Sequence, residues 1–511
     1  MPRRAAITGH ALAEAAARPS GEPAGSRYPP SIPDHKIGRQ RALQAARASR
    51  RYPAGHAAKL ACSQLAPLSA GHRTGVVIAT SAADRQDVAR IPDAFRTPAA
   101  ARSSRDRLDV LVAVSRFLPG TLAQAVAAML GTRGPEVCLP GDCGLAPLAV
   151  ASLFIETGRA DAMMVVAADP RPGDAARYQA VAVLLETAAP GRAFPPPSAA
   201  ALTTGNAACV AAITEYLSHP PAAPPGDRAG GPGAPCEICW AGRPAPGPAD
   251  PGRWLDDGRD LLDECLRAAG TRDLGVVTAS FLDLSPEHAL DAVERGAAED
   301  EIARAARRTT FEDGLRRHAS DRALRGPYVG VTGIPGASLL ALAIGEDVIS
   351  QGAVPSVAVI AGDWMGDGAA RALAVVGCPD RLHMRSSVSA LLLGRAADRS
   401  AARRVRTLVA RRDACDEFAA ELRAHAPSHT LASGCTGADV DAARHFVASS
   451  SGPPGPGSGQ HPDGRERRFL GADAAECLAN LLDLPGRAAL SVRNDLGGSG
   501  IVLLGAACPT T

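Results

Sequence analysis

Lysine is almost missing from this 511-residue chain: Lys36 and Lys59 are the only two, and every other basic residue is arginine. Past residue 59 there is thus no lysine to form a Schiff base or to supply a charge-stabilising ammonium. The arginine skew is read as a composition effect rather than a built anion site. Also missing is a run of about 18 apolar residues, the length a membrane-spanning helix needs, so no membrane partner is expected. Charge of one sign is not in excess. Fifty-five basic residues against 53 acidic ones leave a formal net charge of +2, and no polybasic face for nucleic acid is implied. Near the start, Arg3 and Arg4 precede a stretch interrupted by Gly9, His10 and Glu14, which does not read as a secretory signal. Twelve cysteines are scattered through apolar stretches without a tight framework. Reduced thiols in cytoplasm are the expectation. Cys236 and Cys239 form an isolated CxxC, but no second ligand pair follows at zinc-site spacing. Glu237-Ile238-Cys239-Trp240 reads as a strand, and neither a metal nor a cofactor is assigned.

What is present is a globular composition, 46% hydrophobic, on a chain too long for one ordinary core. Two Pro/Gly-dense stretches, 219–235 and 449–464, break every periodic pattern, and 18–33 does so more weakly. They predict a first region over 1–219, a linker over 220–235 and a second region over 236–511. Short apolar runs without alternation predict strands covered on both faces. They include 5–8, 75–79, 162–166, 208–213, 274–278, 356–360, 389–393 and 500–504. Helical patterns such as 260–269 and 413–424 lie between them, so the fold class is α/β with layered sheets.

An internal repeat sharpens that reading. From Gly134 and again from Gly326 the chain runs Gly-Pro, a short strand, a small-residue turn, an apolar helix, a glycine and a second strand. The two copies end at Asp169 and Asp363, and the second is two residues longer, which fits a loop difference. A strand entering a tight turn that opens at once into an apolar helix is a nucleophile elbow. The turn lifts one side chain above the sheet, and the helix start offers backbone N–H groups and positive partial charge. A cysteine there can carry an acyl group as a thioester.

At this point the chain resembles the ketoacyl synthases and, more distantly, the thiolases. Leu145, Leu148, Ala149 and Ala151 match the elbow helix, and Gly158-Arg159-Ala160-Asp161 matches the segment after it. Arg3 to Gly9 is similar to the family's opening strand, Thr74 to Thr80 to its second strand, and Phe117 through Pro135 to the approach to the elbow. Arg493-Asn494-Asp495-Leu496-Gly497-Gly498-Ser499-Gly500 is similar to its closing glycine-rich turn, which singles out Asn494. The resemblance implies a thiolase-like α/β/α/β/α fold built from repeated halves. Region 1–219 would be one first half, and 236–511 would hold a complete small thiolase-like unit. A second division would make 1–397 one synthase with an addition.

The family's reactive set is a cysteine and two histidines, and matching positions do not supply it. Counting back from the glycine after the helix places the nucleophile at Gly141 in the first copy and at Pro335 in the second. Cys143, two residues on, is the candidate nucleophile if the turn is shifted; otherwise it packs as a small apolar residue. Ser338 stands near the second position. The family's first histidine loop is matched by Ser433-Gly434-Cys435-Thr436-Gly437, with Ser433 in the histidine's place, and the second by Arg468-Phe469-Leu470-Gly471-Ala472. His429 and His461 lie near these stretches and read as loop histidines. Three functions stay open: a non-catalytic, chain-length-factor-like partner in polyketide or fatty-acid synthesis, an atypical condensing acyltransferase using Cys143, or a scaffold without acyl ligand. The partners implied are an acyl carrier protein or acyl thioester, and a second chain in a homodimer or in a heterodimer with an active ketoacyl synthase.

Overall fold

The computed structural model describes residues 4–16, 73–80, 134–140, 142–171, 174–188, 207–219, 235–244, 250–298, 310–332, 336–375, 386–395, 403–410, 415–425, 427–434, 486–493 and 499–505, with short pieces elsewhere. Two compact units result. One gathers Met1–Ala229, Ser285–Arg308 and Gly366–Pro379; the other gathers Gly230–Leu284, Thr309–Met365 and Asp380–Thr511.

The first unit holds a five-stranded sheet of β1 (Ala5–Ala16), β2 (Thr74–Thr80), β3 (Glu136–Pro140), β4 (Ala162–Arg171) and β5 (Asp174–Thr187), in the order β1-β5-β4-β2-β3. Strands β2, β3 and β4 are parallel, while β5 runs antiparallel to β4 and to β1. The strand expected over 5–8 continues to Ala16 because a register shift between Ile7 and Gly9 absorbs the break in the apolar pattern. Helix α1 (Ala146–Glu156) packs on this sheet and is buried from Ala146 to Ile155, as a helix apolar on nearly every side must be. The run 208–213, expected as a strand, is instead the start of helix α2 (Cys209–Ser218). A six-residue apolar run does not distinguish the two by itself, and the run continues for another turn with Thr214 bonded back to the Val210 carbonyl. Helices α4 (Ser285–Glu294) and α7 (Asp367–Val375) also belong to this unit, and the Glu287 carboxylate accepts the Gly368 and Ala369 N–H groups at 3.0 and 2.9 Å.

The second unit holds nine strands: β6 (Cys236–Gly242), β7 (Leu274–Ser280), β8 (Tyr328–Thr332), β9 (Ser356–Asp363), β10 (Ser387–Arg395), β11 (Arg403–Ala410), β12 (His429–Gly434), β13 (Ala488–Arg493) and β14 (Ser499–Leu504). Their order is β12-β13-β14-β11-β6-β10-β9-β7-β8. Five of them reproduce the first sheet strand for strand. Strand β7 is parallel to β8 and β9, β10 is antiparallel to β9 and to β6, so β6–β10 stand in the places of β1–β5. The remaining four follow the same plan with one place unfilled among the described residues. Strand β12 is parallel to β13, and β14 is antiparallel to β13 and to β11, which matches places two, four, five and one. Antiparallel pairing of β11 with β6 joins the two sets into one sheet.

Alternate residues explain the unbroken apolar runs. In β9, Ala358 and Ile360 join the cluster of Trp254, Phe311 and Trp364 supplied by helices α3 (Pro251–Ala269) and α5 (Thr310–Asp321) and by the residue after β9. Val357 and Val359 approach Gly345 of helix α6 (Ala337–Ser350) on the other face. Helix α8 (Cys415–His425) packs on β14 through Phe418 and Leu422.

Candidate functional site

The repeated glycines mark the same backbone constraint twice. A Cβ on Gly134 would meet the backbone of Thr74 and Gly75 at 2.6 Å, and one on Gly326 would come within 2.5 Å of that of Leu274 and Gly275. The carbonyls of Pro135 and Pro327 then accept the N–H of Val76 and Val276, each at 2.8 Å. Strands β3 and β8 are thereby set in register beside β2 and β7. At the other end of each copy Asp169 and Asp363 are buried acceptors: Asp169 takes the Val210 N–H at 2.9 Å, and Asp363 takes those of Phe281 and Leu282 at 2.8 and 3.2 Å. Asp161, matched to the family's acidic position, takes the Arg73 N–H at 3.1 Å at the start of β2.

Each elbow turns on one left-handed glycine, Gly144 at φ +59 and Gly336 at φ +79. Each lies ten residues after its Gly-Pro glycine, at 134 and 326. Aligned on these turns, Cys143 stands opposite Pro335, each immediately before the turn glycine. The two extra residues of the second copy therefore fall between the turn and the glycine after the helix, Gly158 or Gly352, and not in the loop before it. Gly141 and Pro335 themselves lie outside the described residues.

In the first elbow Cys143 is half-buried and forms an isolated parallel bridge with Ala207, and the Gly144 N–H donates to the Ala207 carbonyl at 3.0 Å. The Cys143 thiol donates to the Pro140 carbonyl at 2.8 Å. Its sulfur also lies 3.5 Å from that of Cys209, the first residue of α2. Sequence reasoning missed Cys209, because its place depends on residues 66 positions away. The Gly205-Asn206 dipeptide just before it, a turn signal, was the available hint of a helix start. Cys138, five residues before Cys143, is fully enclosed in β3, and burial pushes its thiol up to about 12.

In the second elbow Gly336 is the N-cap of α6 and its carbonyl accepts the Leu339 N–H at 2.9 Å. Ser338, in the first turn, is completely buried, and its Oγ has no hydrogen-bond partner among the described residues. Further along, the same helix buries Glu346, whose carboxylate accepts the Thr407 N–H at 3.1 Å and bonds the Thr407 hydroxyl. This acid, unannounced except as a charged pair with Asp347 inside an apolar helix, fixes α6 to β11. Asp283, beyond the end of β7, is likewise enclosed. Burial raises its carboxyl to about 7, against the opposing pull of the Leu284 and Phe311 N–H groups that it accepts at 2.5 and 3.1 Å.

The positions matched to the family's histidine loop and closing turn come to one end of the third set of strands. Ser433 pairs with Val492 and Gly434 with Arg493, at the carboxyl ends of parallel β12 and β13. Cys435, Asn494, His461 and residues 468–472 lie outside the described residues, as do 18–33, 220–234 and 449–464; His429 begins β12. Cys236 is buried in β6 with its thiol toward the Glu346 carbonyl at 3.5 Å, whereas Cys239 is exposed. Among the described residues no group of three or more His, Cys, Asp or Glu is placed to hold a metal, and no helix is long and apolar enough to cross a membrane.

No family model matches the chain, and no curated protein matches its sequence. Among solved structures it is similar to one titled "PfaC Keto synthase-Chain length factor", at 8% identity and a TM-score of 0.58, over 99% of this chain and 92% of that one. Shorter likenesses include the tetronic acid condensing enzyme AbyA1, at 13% identity and a TM-score of 0.36 over 53% of this chain and 100% of that one. Another is a ketosynthase from module 6 of the bacillaene synthase of Bacillus subtilis, at 10% identity and a TM-score of 0.38 over 50% and 58%.

Proposed function

Taking the thiolase-like fold of the ketosynthases as the premise, we propose that this chain is a ketosynthase-like protein of polyketide or fatty-acid assembly that acts as a non-catalytic, chain-length-factor-like partner. The observation that carries the reading is the second elbow. The Ser338 hydroxyl is sealed from solvent without a hydrogen-bond partner among the described residues, so no base among them activates it. The first elbow agrees: the Cys143 thiol is engaged with the Pro140 carbonyl and lies against a second thiol, the setting of a structural or redox cysteine rather than of an acyl-accepting one. Full-length likeness to a chain whose title joins a keto synthase with a chain length factor supports the same setting. A synthase-like fold that does not turn over is useful when it shapes an acyl pocket beside a partner that does.

The test uses the full chain, fully reduced. It is incubated with an octanoyl thioester and, separately, with acyl-loaded carrier protein, and its intact mass is followed. No acyl adduct is expected, while co-expression with a ketosynthase from the same genome is expected to give a stable heterodimer. An acyl group mapped to Cys143 would replace the proposal with the condensing-enzyme reading. A monomer that binds neither synthase nor carrier protein would leave the scaffold reading.

A further inference from the structure

The thiols of Cys143 and Cys209 carry an inference that goes beyond acyl assembly and does not depend on it. Their sulfurs lie 3.5 Å apart, and both approach the Pro140 carbonyl oxygen, at 2.8 and 3.9 Å. Three separate restraints build this pair. The left-handed turn at Gly144 presents Cys143 at the end of β3. The parallel bridge between Cys143 and Ala207, with the Gly144 N–H on the Ala207 carbonyl, holds the two chain segments side by side. Asp169 takes the Val210 N–H and so fixes the first turn of α2, where Cys209 sits. Disulfide sulfurs lie about 2.05 Å apart, so closing the bond needs an approach of roughly 1.5 Å. Cys143 is half-buried and Cys209 fully buried, which sets the order of events.

We propose that Cys143 and Cys209 are a reversible redox pair whose disulfide locks the first elbow to the start of helix α2. A peroxide is the oxidant. The sulfur of Cys143, the less buried of the two residues, takes one peroxide oxygen and becomes a sulfenic acid as its proton and the other peroxide oxygen leave in the first water. The Cys209 sulfur then attacks the Cys143 sulfur, the S–O bond breaks, and the hydroxyl departs with the Cys209 proton as the second water. Two thiols have given two electrons to one O–O bond, and a dithiol reverses the change by exchange. In the oxidised form the turn before α1 is tethered across the 66-residue separation to α2, and Cys143 is closed to any electrophile.

The full chain, fully reduced, is exposed to graded hydrogen peroxide, blocked with N-ethylmaleimide, and digested with trypsin and Asp-N. Cleavage before Asp142 separates Cys143 from Cys138. The expected product is a peptide linked through Cys143 and Cys209 and lost on dithiothreitol treatment. The oxidised protein should also melt at higher temperature than the reduced one, a rise absent in Cys209→Ser. Cys143 recovered as a sulfinic acid, or linked to a different cysteine, overturns the proposal, as does an equal rise in melting temperature in Cys209→Ser. If that variant does not fold, peptide mapping of the unaltered chain decides by itself. Acylation of Cys143 in the reduced protein would sink the partner reading and leave this one standing.

Discussion

Gly362→Ala is the sharpest probe of how the second unit is packed. Gly362 lies in β9, and a Cβ there would come within 2.5, 2.7 and 2.9 Å of three Phe311 ring atoms. The ring has nowhere to go. A Cβ on Gly258 of α3 would stand 2.9 Å from the same ring, and the Trp254 ring lies at a centroid distance of 4.7 Å. Phe311 is 1% exposed, held in a slot between two glycines. Adding one methyl to such a site costs about 1–3 kcal/mol in displaced neighbours. Relief of the strand glycine's backbone entropy returns about 0.5–1 kcal/mol, so a net loss of about 1–2 kcal/mol is expected. Phe311→Leu by itself costs about 1–3 kcal/mol by leaving a cavity, but it opens the space that the added methyl needs. The double variant should therefore fall short of the sum by about 1 kcal/mol or more, since residues in contact couple by about 0.5–3 kcal/mol. The assay is urea unfolding followed by tryptophan fluorescence. The chain has three tryptophans, Trp240, Trp254 and Trp364, and all belong to or pack on this cluster, so the signal reports this unit. Additivity within about 0.5 kcal/mol would refute the slot.

Three further outcomes are expected. The Asp283 carboxyl is raised by burial from 3.8 to about 7. The folded unit thus holds a proton that the unfolded chain releases first: its contribution to stability is complete below about pH 4 and is lost as pH rises through about 7, a change of about 4 kcal/mol. Urea unfolding at pH 5 and pH 8 should show about 2.5 kcal/mol of that fall, and Asp283→Asn should flatten it; an unchanged slope in the variant would contradict the assignment. Glu346→Ala leaves the buried Thr407 N–H without its carboxylate, at a cost of about 2–3 kcal/mol. Hydrogen exchange at the Thr407 amide should accelerate, and unaltered protection would show that Glu346 does not hold β11. Finally, N-ethylmaleimide should label exposed Cys239 long before Cys62 and Cys138, whose thiols burial pushes up to about 12. Comparable labelling of Cys138 in the native protein would contradict its enclosure.

Much of the scaffold was legible because buried parallel strands and a largely apolar central helix are written as nearly continuous apolar runs. The repeat was legible for a second reason: Gly134 and Gly326 stand where no Cβ fits, so the same residue recurs at the same point. Legibility failed where a short run was ambiguous, as at 208–213, and the alignment of the two elbows depends on the counting origin. Counted from the glycine after the helix, the nucleophile position falls on Gly141. Counted from the left-handed glycine of the turn, Cys143 faces Pro335, because the length difference lies on the helix side of the turn.

Residue types and spacing alone determined the α/β class and the doubled strand–turn–helix–strand unit. These depend on neighbours within a few turns of chain. Tertiary structure alone decided that the strand plan recurs in a third set, β11–β14, that Glu346 fastens α6 to that set, and that Cys143 meets Cys209. Each is an adjacency between residues more than 60 positions apart or a sheet order, and local propensity carries no term for either.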